Sequence, residues 1–393
     1  MGDSIFFKAV KKYISDYEFA NVDIFDLKKS FETVSGEDLY WFFNQWFLSK
    51  ELPELVVNYT YNENEKKLEV KIVQEKNTDF DKLFVLPVDI LIGSGNEVIA
   101  KKETITHKTS LFQYTVKEKP SFVCIDKYTL PLSKTNYTDT NNIAEITTCK
   151  KLTDLTRLNA LNYLNNDSIK ALVFRNLLIE NNTNITLKVL GLLKNFKIQD
   201  SIFQTDFKPL LIKFLNESEN VEILVSTYSV LSDYQFVQSI ENISNSFIDS
   251  SYNVKFSYLE YFLKTDLSKG LKKCEEIEQS KDENVKLILG LLYSIYGNEK
   301  NETFYKVTLT TINHKKFSEM LGYYFDFVVN RSDSVALNSI DFISELNENS
   351  NSTYIKEKLK LFVHNLSVNY SKKAEFNPLI EAIIKKIKEF SEL

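Results

Sequence analysis

Ser35-Gly36-Glu37-Asp38-Leu39-Tyr40-Trp41-Phe42-Phe43-Asn44-Gln45-Trp46-Phe47, followed closely by Pro53-Glu54-Leu55-Val56-Val57-Asn58-Tyr59-Thr60-Tyr61, is where the chain changes its period. On the N-terminal side, Leu39, Phe42, Phe43, Trp46 and Phe47 fall at i, i+3, i+4, i+7 and i+8, one apolar face of a helix. Ser35 reads as the cap of that helix, with Asp38 in the capping-box position. Upstream, Ile5, Phe6, Ala9, Val10, Tyr13 and Ile14 form another apolar stripe. Asp23, with Asp26 three residues on, predicts the start of a short helix that stops at Ser35-Gly36. A face as wide as the Leu39–Phe47 one must be buried against something large. Three helices in residues 1–52 offer too little surface, so this zone either packs on the rest of the chain or closes a domain whose body lies elsewhere.

On the C-terminal side the pattern becomes β. Leu55–Tyr61 and Leu68–Val73 read as strands joined by the polar turn Asn62–Lys66. Further β-rich runs follow at Leu83–Leu91, Val98–Thr106, Leu111–Val116 and Phe122–Ile125, with Gly93-Ser94-Gly95-Asn96 as a turn. Short strands at this spacing predict a small antiparallel β-sandwich over residues 53–136. Residues 140–393 return to the helical period. Leu152, Leu155, Leu158, Leu161 and Leu164 read as one stripe, and Asp167 as the cap of the next helix. Similar stripes run through Leu187–Phe196, Val221–Tyr228, Phe256–Leu263, Val285–Ile295 and Phe317–Val329. Asn377-Pro378 predicts the start of a last helix carrying Leu379, Ile380, Ile383, Ile384 and Ile387. Helices of this length with short polar loops predict stacked antiparallel pairs, an α-solenoid of the HEAT/ARM kind. The fold class is thus multi-domain α+β.

Composition narrows the function. The 393 residues carry 48 Lys plus Arg against 54 Asp plus Glu, a formal charge of −6. That balance argues against a nucleic-acid partner. No apolar run is long enough for a transmembrane helix, no signal peptide is read at the N-terminus, and the compartment stays open. Cys124, Cys149 and Cys274 are odd in number and far apart, which argues against a disulfide framework. The Asn-x-Ser/Thr sequons, for example at Asn58, Asn136, Asn242 and Asn301, read as chance in an Asn-rich chain. The scarcity of arginine (Arg157, Arg175, Arg331) reads as genome base bias.

The chemistry-bearing residues form no motif. A helical zinc site needs two imidazoles four residues apart with a glutamate as base. His107, His314 and His364 are separated by dozens of residues and none has a histidine four residues on. His107 stands alone at a strand end, and His314 reads as a surface histidine, the alternative being a mixed site with distant carboxylates. Paired cysteines for a zinc site are missing. Gly93-Ser94-Gly95 lacks the spacing of a nucleophile elbow, and Gly93-x-Gly95-x-x-Val98 lacks the third glycine of a dinucleotide fingerprint. Cys124 and Cys149 read as structural. The predicted catalytic, cofactor-binding and metal residues of this chain are therefore none.

Several segments nevertheless resemble one family in the right order. Met1–Tyr13, then Asp26-Leu27 with Phe31-Glu32, Ser35–Leu39 and Trp41–Phe47, are similar to the end of the catalytic domain of aminopeptidase N-like zinc metallopeptidases, peptidase family M1. Phe43-x-Gln45-Trp46 followed by Pro53-Glu54-Leu55 looks like that family's exit into its β-sandwich. Lys119–Asp126 is similar to its last sandwich strands, and Arg157–Leu161 to the start of its helical C-terminal domain. One departure is local: Glu51-Leu52 stands where the family usually has Gly-His. The larger departure is that H-E-x-x-H, its downstream Glu, the exopeptidase motif and the catalytic Tyr match no position here, so no catalytic residue is carried over.

The resemblance implies a helical remnant of a thermolysin-like catalytic domain (1–52), a β-sandwich (53–136) and an α-solenoid (140–393). It implies the non-catalytic C-terminal portion of an aminopeptidase that removes N-terminal residues from peptides, with zinc in the full-length enzyme and none in this chain. Phe42, Phe43, Trp46 and Phe47 would then dock on a catalytic domain or chain. The alternative is an independent scaffold whose solenoid binds a protein or peptide.

Overall fold

A computed structural model describes residues 1–50, 52–75, 83–94, 97–126, 132–234, 251–371 and 378–391. Three helices come first: α1 (Asp3–Asp16), α2 (Ile24–Ser35) and α3 (Tyr40–Trp46). Seven strands follow: β1 (Glu54–Asn62), β2 (Lys67–Glu75), β3 (Leu86–Ser94), β4 (Glu97–Ile105), β5 (Thr109–Thr115), β6 (Phe122–Ile125) and β7 (Lys134–Tyr137). The rest is helical: α4 (Thr140–Thr148), α5 (Asp154–Leu161), α6 (Asp167–Ile179), α7 (Thr183–Leu193), α8 (Asp200–Ile202), α9 (Lys208–Glu217), α10 (Val221–Asp233), α11 (Tyr252–Thr265), α12 (Leu267–Glu275), α13 (Glu283–Tyr296), α14 (Glu302–Thr311), α15 (His314–Val329), α16 (Asp333–Asn349), α17 (Thr353–Ser371) and α18 (Pro378–Ser391). A π-helical turn, Phe203–Phe207, joins α8 to α9. The chain is therefore mixed α+β, and it divides into two compact units, Met1–Ile185 and Thr186–Leu393. No described helix is long and apolar enough to cross a membrane.

In the first unit, local chemistry sets the helix ends. Asp23 accepts from the N–H groups of Phe25 and Asp26 at 2.8 and 3.1 Å, while Asp26 accepts from the Asp23 N–H at 3.0 Å. This is the reciprocal cap that the sequence predicts for α2. Gly36 ends α2 at φ 71°, a left-handed backbone that glycine adopts without a Cβ penalty. The next helix begins later than Ser35 implies. Ser35 caps only a turn, through Glu37 N–H, and Asp38 receives the Tyr40 N–H at 2.8 Å.

The strands form two sheets, ordered β5-β2-β1-β7 and β4-β3-β6. In β2 the side chains of Leu68, Val70 and Ile72 are buried and Lys71 faces out, as alternation requires. Gln74 keeps the buried parity. The sheets are not wholly antiparallel: β7 pairs with β1 in parallel, Glu54 opposite Lys134 through Val57 opposite Tyr137. A parallel neighbour needs a long crossover, and here the crossover is the whole run β2–β6. Gly93 is not a turn residue but a member of β3, facing Phe122 of β6; a Cβ there would lie 2.3 Å from the Phe122 ring. The loop residues Gly95 and Asn96 lie outside the described residues.

Three buried carboxamides join these elements. Gln45 of α3 accepts from Val85 N–H and donates to Val85 C=O, both at 3.0 Å. Gln74 does the same to Phe84 at 3.0 and 2.9 Å. Asn142 of α4 accepts from Val123 N–H at 2.8 Å and donates to Val123 C=O at 3.1 Å. Arg157 of α5 ties α4 to α6: its Nε donates to Thr147 C=O at 2.8 Å, and its Nη2 lies 2.7 Å from both Glu180 oxygens. The expected leucine stripe splits, because α5 spans only Asp154–Leu161 and leaves Leu152 and Leu164 outside it, and because i+3 spacing drifts around a helix of 3.6 residues per turn. Leu152, Leu161 and Leu164 are buried, whereas Leu155 is exposed. Asn166, not Asp167, caps α6, accepting from Ile169 N–H.

In the second unit a continuous apolar core runs from Leu259 to Ile387. Alternate helices pack on one another: α11 on α13, α13 on α15, α15 on α17, and α14 on α16, α16 on α18. Pro378 is the first residue of α18, while its expected cap, Asn377, lies outside the described residues. Six tyrosines are among the largest fully buried side chains. Several have hydroxyl partners: Tyr324 donates to Glu302 at 3.0 Å, Tyr370 to Asp333 at 3.2 Å, and Tyr305 to Gly290 C=O. Arg331 donates to the Tyr293 carbonyl of α13 at 3.1 Å and to the Gly297 carbonyl just past its end at 2.7 Å, with its guanidinium over the Phe327 ring.

Two substitutions test the carboxamide and arginine ties. Asn142→Asp keeps the shape but loses the N–H donor, leaving Val123 C=O unpaired; it should cost about 1–3 kcal/mol in urea unfolding, and an unchanged midpoint would refute the tie. Arg157→Leu leaves Glu180 buried without its cation and should cost about 3–5 kcal/mol, most of it recovered in the Arg157→Leu/Glu180→Leu double variant.

Candidate functional site

The catalytic residue types sit apart. His107 is exposed just after β4, its Nδ1 beside the Thr106 hydroxyl at 2.9 Å. His314 is the exposed first residue of α15, and His364 is exposed on α17. Among the described residues no three of His, Cys, Asp and Glu are grouped so as to hold a metal ion. Cys124 in β6 and Cys274 in α12 are fully buried, whereas Cys149 caps the end of α4 and is half-buried. Burial pushes the Cys274 thiol up to about 12, and Glu278 and Glu275 add to the shift. The Cys124 thiol is likewise raised by burial. Thiols held protonated in this way are poor nucleophiles. The buried tyrosines are also protonated structural groups; burial and the Glu302 carboxylate push the Tyr324 phenol far above its ordinary value.

The feature that stands out is apolar. About half of the exposed large apolar side chains among the described residues lie in residues 1–52. Helices α1, α2 and α3, with Pro87 of β3, surround a groove of about 640 Å³ lined by Phe6, Phe31, Trp41, Phe42, Phe43 and Phe47 among others. Among the described residues Glu37 is the one charged side chain lining it. Two features fix its shape. Phe6 meets Phe31 edge-on at 5.4 Å, which sets α1 on α2. Glu32 then holds the corner to α3: it accepts from Lys28 Nζ at 2.8 Å and from Leu39 N–H at 3.0 Å, and both keep its carboxyl below the usual range.

The expected face of α3 is only half buried. Leu39 and Phe43 are buried and Trp46 packs on Phe84 at 5.7 Å, but Phe42 is 38% and Phe47 50% exposed. The helix ends at Trp46, so Phe47 leaves the helical face and stacks back on Phe43 at 5.0 Å. The apolar pattern missed Gln45, the buried polar residue that anchors this helix. Its only sequence signal was a carboxamide inside an aromatic run.

No family model matches the sequence, and no curated protein matches it. Among solved structures, the chain is similar to the crystal structure of Legionella pneumophila aminopeptidase A in complex with aspartic acid, with 14% identity and a TM-score of 0.45. The match covers 99% of this chain and 55% of that one, so the chain spans about half the length of that protein.

Two measurements follow from burial. In the native protein at pH 8, a maleimide or iodoacetamide pulse read by mass spectrometry should label Cys149 well before Cys124 and Cys274; equal labelling of Cys274 would contradict its buried placement. The purified chain should bind an apolar dye and associate with rising concentration in light scattering. Phe42→Ser/Phe47→Ser should remove at least half of the dye signal while leaving the circular dichroism melting point within a few degrees. A clean monomer without dye binding would count against an open apolar groove.

Proposed function

We propose that this chain is the non-catalytic C-terminal portion of a zinc-dependent aminopeptidase of peptidase family M1. Residues 1–52 are the closing helices of its thermolysin-like domain, residues 53–136 a β-sandwich, and residues 140–393 an α-solenoid. The observation that carries this reading is the apolar groove of α1–α3. The family-like motif Trp41–Phe47 lines it, and helices that finish a larger domain must present such a face. The ordered motif segments support the same reading. So does the packing of alternate helices in the second unit, which is the contact pattern of a solenoid.

The described residues do not fit the zinc that such an enzyme uses: the imidazoles are exposed and scattered, and no acidic or thiol cluster accompanies them. No catalytic step is therefore assigned to this chain. A zinc held elsewhere in the parent enzyme would supply carbonyl polarisation and water activation. The contribution of this chain is to complete the catalytic domain at Phe42, Phe43, Trp46 and Phe47, and to limit the length of peptide that enters through the helical domain.

The test is the native polypeptide captured from source cells through an antibody to α18. A species heavier than 45.7 kDa, or one of that mass bound to a second chain, should hydrolyse aminoacyl p-nitroanilides and lose the activity to a chelator. The purified 393-residue chain should hydrolyse none, with or without added zinc. A native species of 45.7 kDa with neither partner nor chelator-sensitive activity would overturn the proposal.

A further inference from the structure

We draw no further inference here: the strongest candidate, the apolar groove walled by α1, α2 and α3, belongs to the reading already proposed, and nothing in the structure shows what else covers it.

Discussion

Residues 84 and 85 precede β3 and belong to no strand, yet their four backbone polar groups are all taken by two side chains. Gln74 holds Phe84 and Gln45 holds Val85. A carboxamide carries a donor and an acceptor in the same geometry as a peptide unit, so it can stand in for a neighbouring strand. The net gain per hydrogen bond is modest, about 0.5–1.5 kcal/mol, but leaving such groups buried and unpaired costs about 1–3 kcal/mol each. The constraint is thus on position more than on energy. Gln45 fixes where α3 sits against the entry to β3, and Gln74 fixes where that entry sits against β2. The walls of the apolar groove, which include Pro87 and the α3 aromatics, inherit their placement from these two contacts.

The same device recurs where Asn142 grips Val123, and Arg157 extends it with charge. A guanidinium at 4% exposure beside a carboxylate at 9% is costly to desolvate. It is tolerated because Thr147 C=O and both Glu180 oxygens receive its donors. In the second unit Arg331 does comparable work with neutral partners, adding a donor to the Tyr293 carbonyl, which already accepts the Gly297 N–H, and reaching the Gly297 carbonyl just past the end of α13. Two of the three arginines therefore have defined structural roles, and at Arg157 the planar fork places Nε and Nη2 on partners at two different helices, a fixed geometry that a lysine ammonium does not supply. The scarcity of arginine reflects composition; where these two stand reflects packing.

How much of this was legible follows from the kind of signal each feature leaves. The capping box of α2, the stop at Gly36 and the strand β6 leave short-range patterns, and each appears where the sequence places it. The start of α3 did not, because Ser35 and Asp38 are both good caps and only the turn after Gly36 decides between them. Strand β7 was missed because Lys-Thr-Asn-Tyr is short and polar, and its pairing with β1 is a long-range parallel contact. Gln45, Gln74 and Asn142 are buried polar residues, so a hydrophobic pattern counts them as outward-facing. Gln74 alone gave a clue, since it shares the parity of Leu68, Val70 and Ile72.

The candidate site follows the same logic in reverse. Catalytic chemistry is legible when it rests on residue types at fixed spacing, and none of the expected spacings occurs in this sequence. What the chain has instead is an excess of apolar surface in its first helices. Their positions are held by polar contacts at Asp23, Glu32 and Gln45 together with the buried ring of Phe43 and the Phe6–Phe31 contact. Phe42, 38% exposed on α3, and Phe47, 50% exposed just past its end, leave apolar surface open at the groove. Single exposed apolar side chains are ordinary on a protein surface, whereas a contiguous apolar groove such as this one is uncommon.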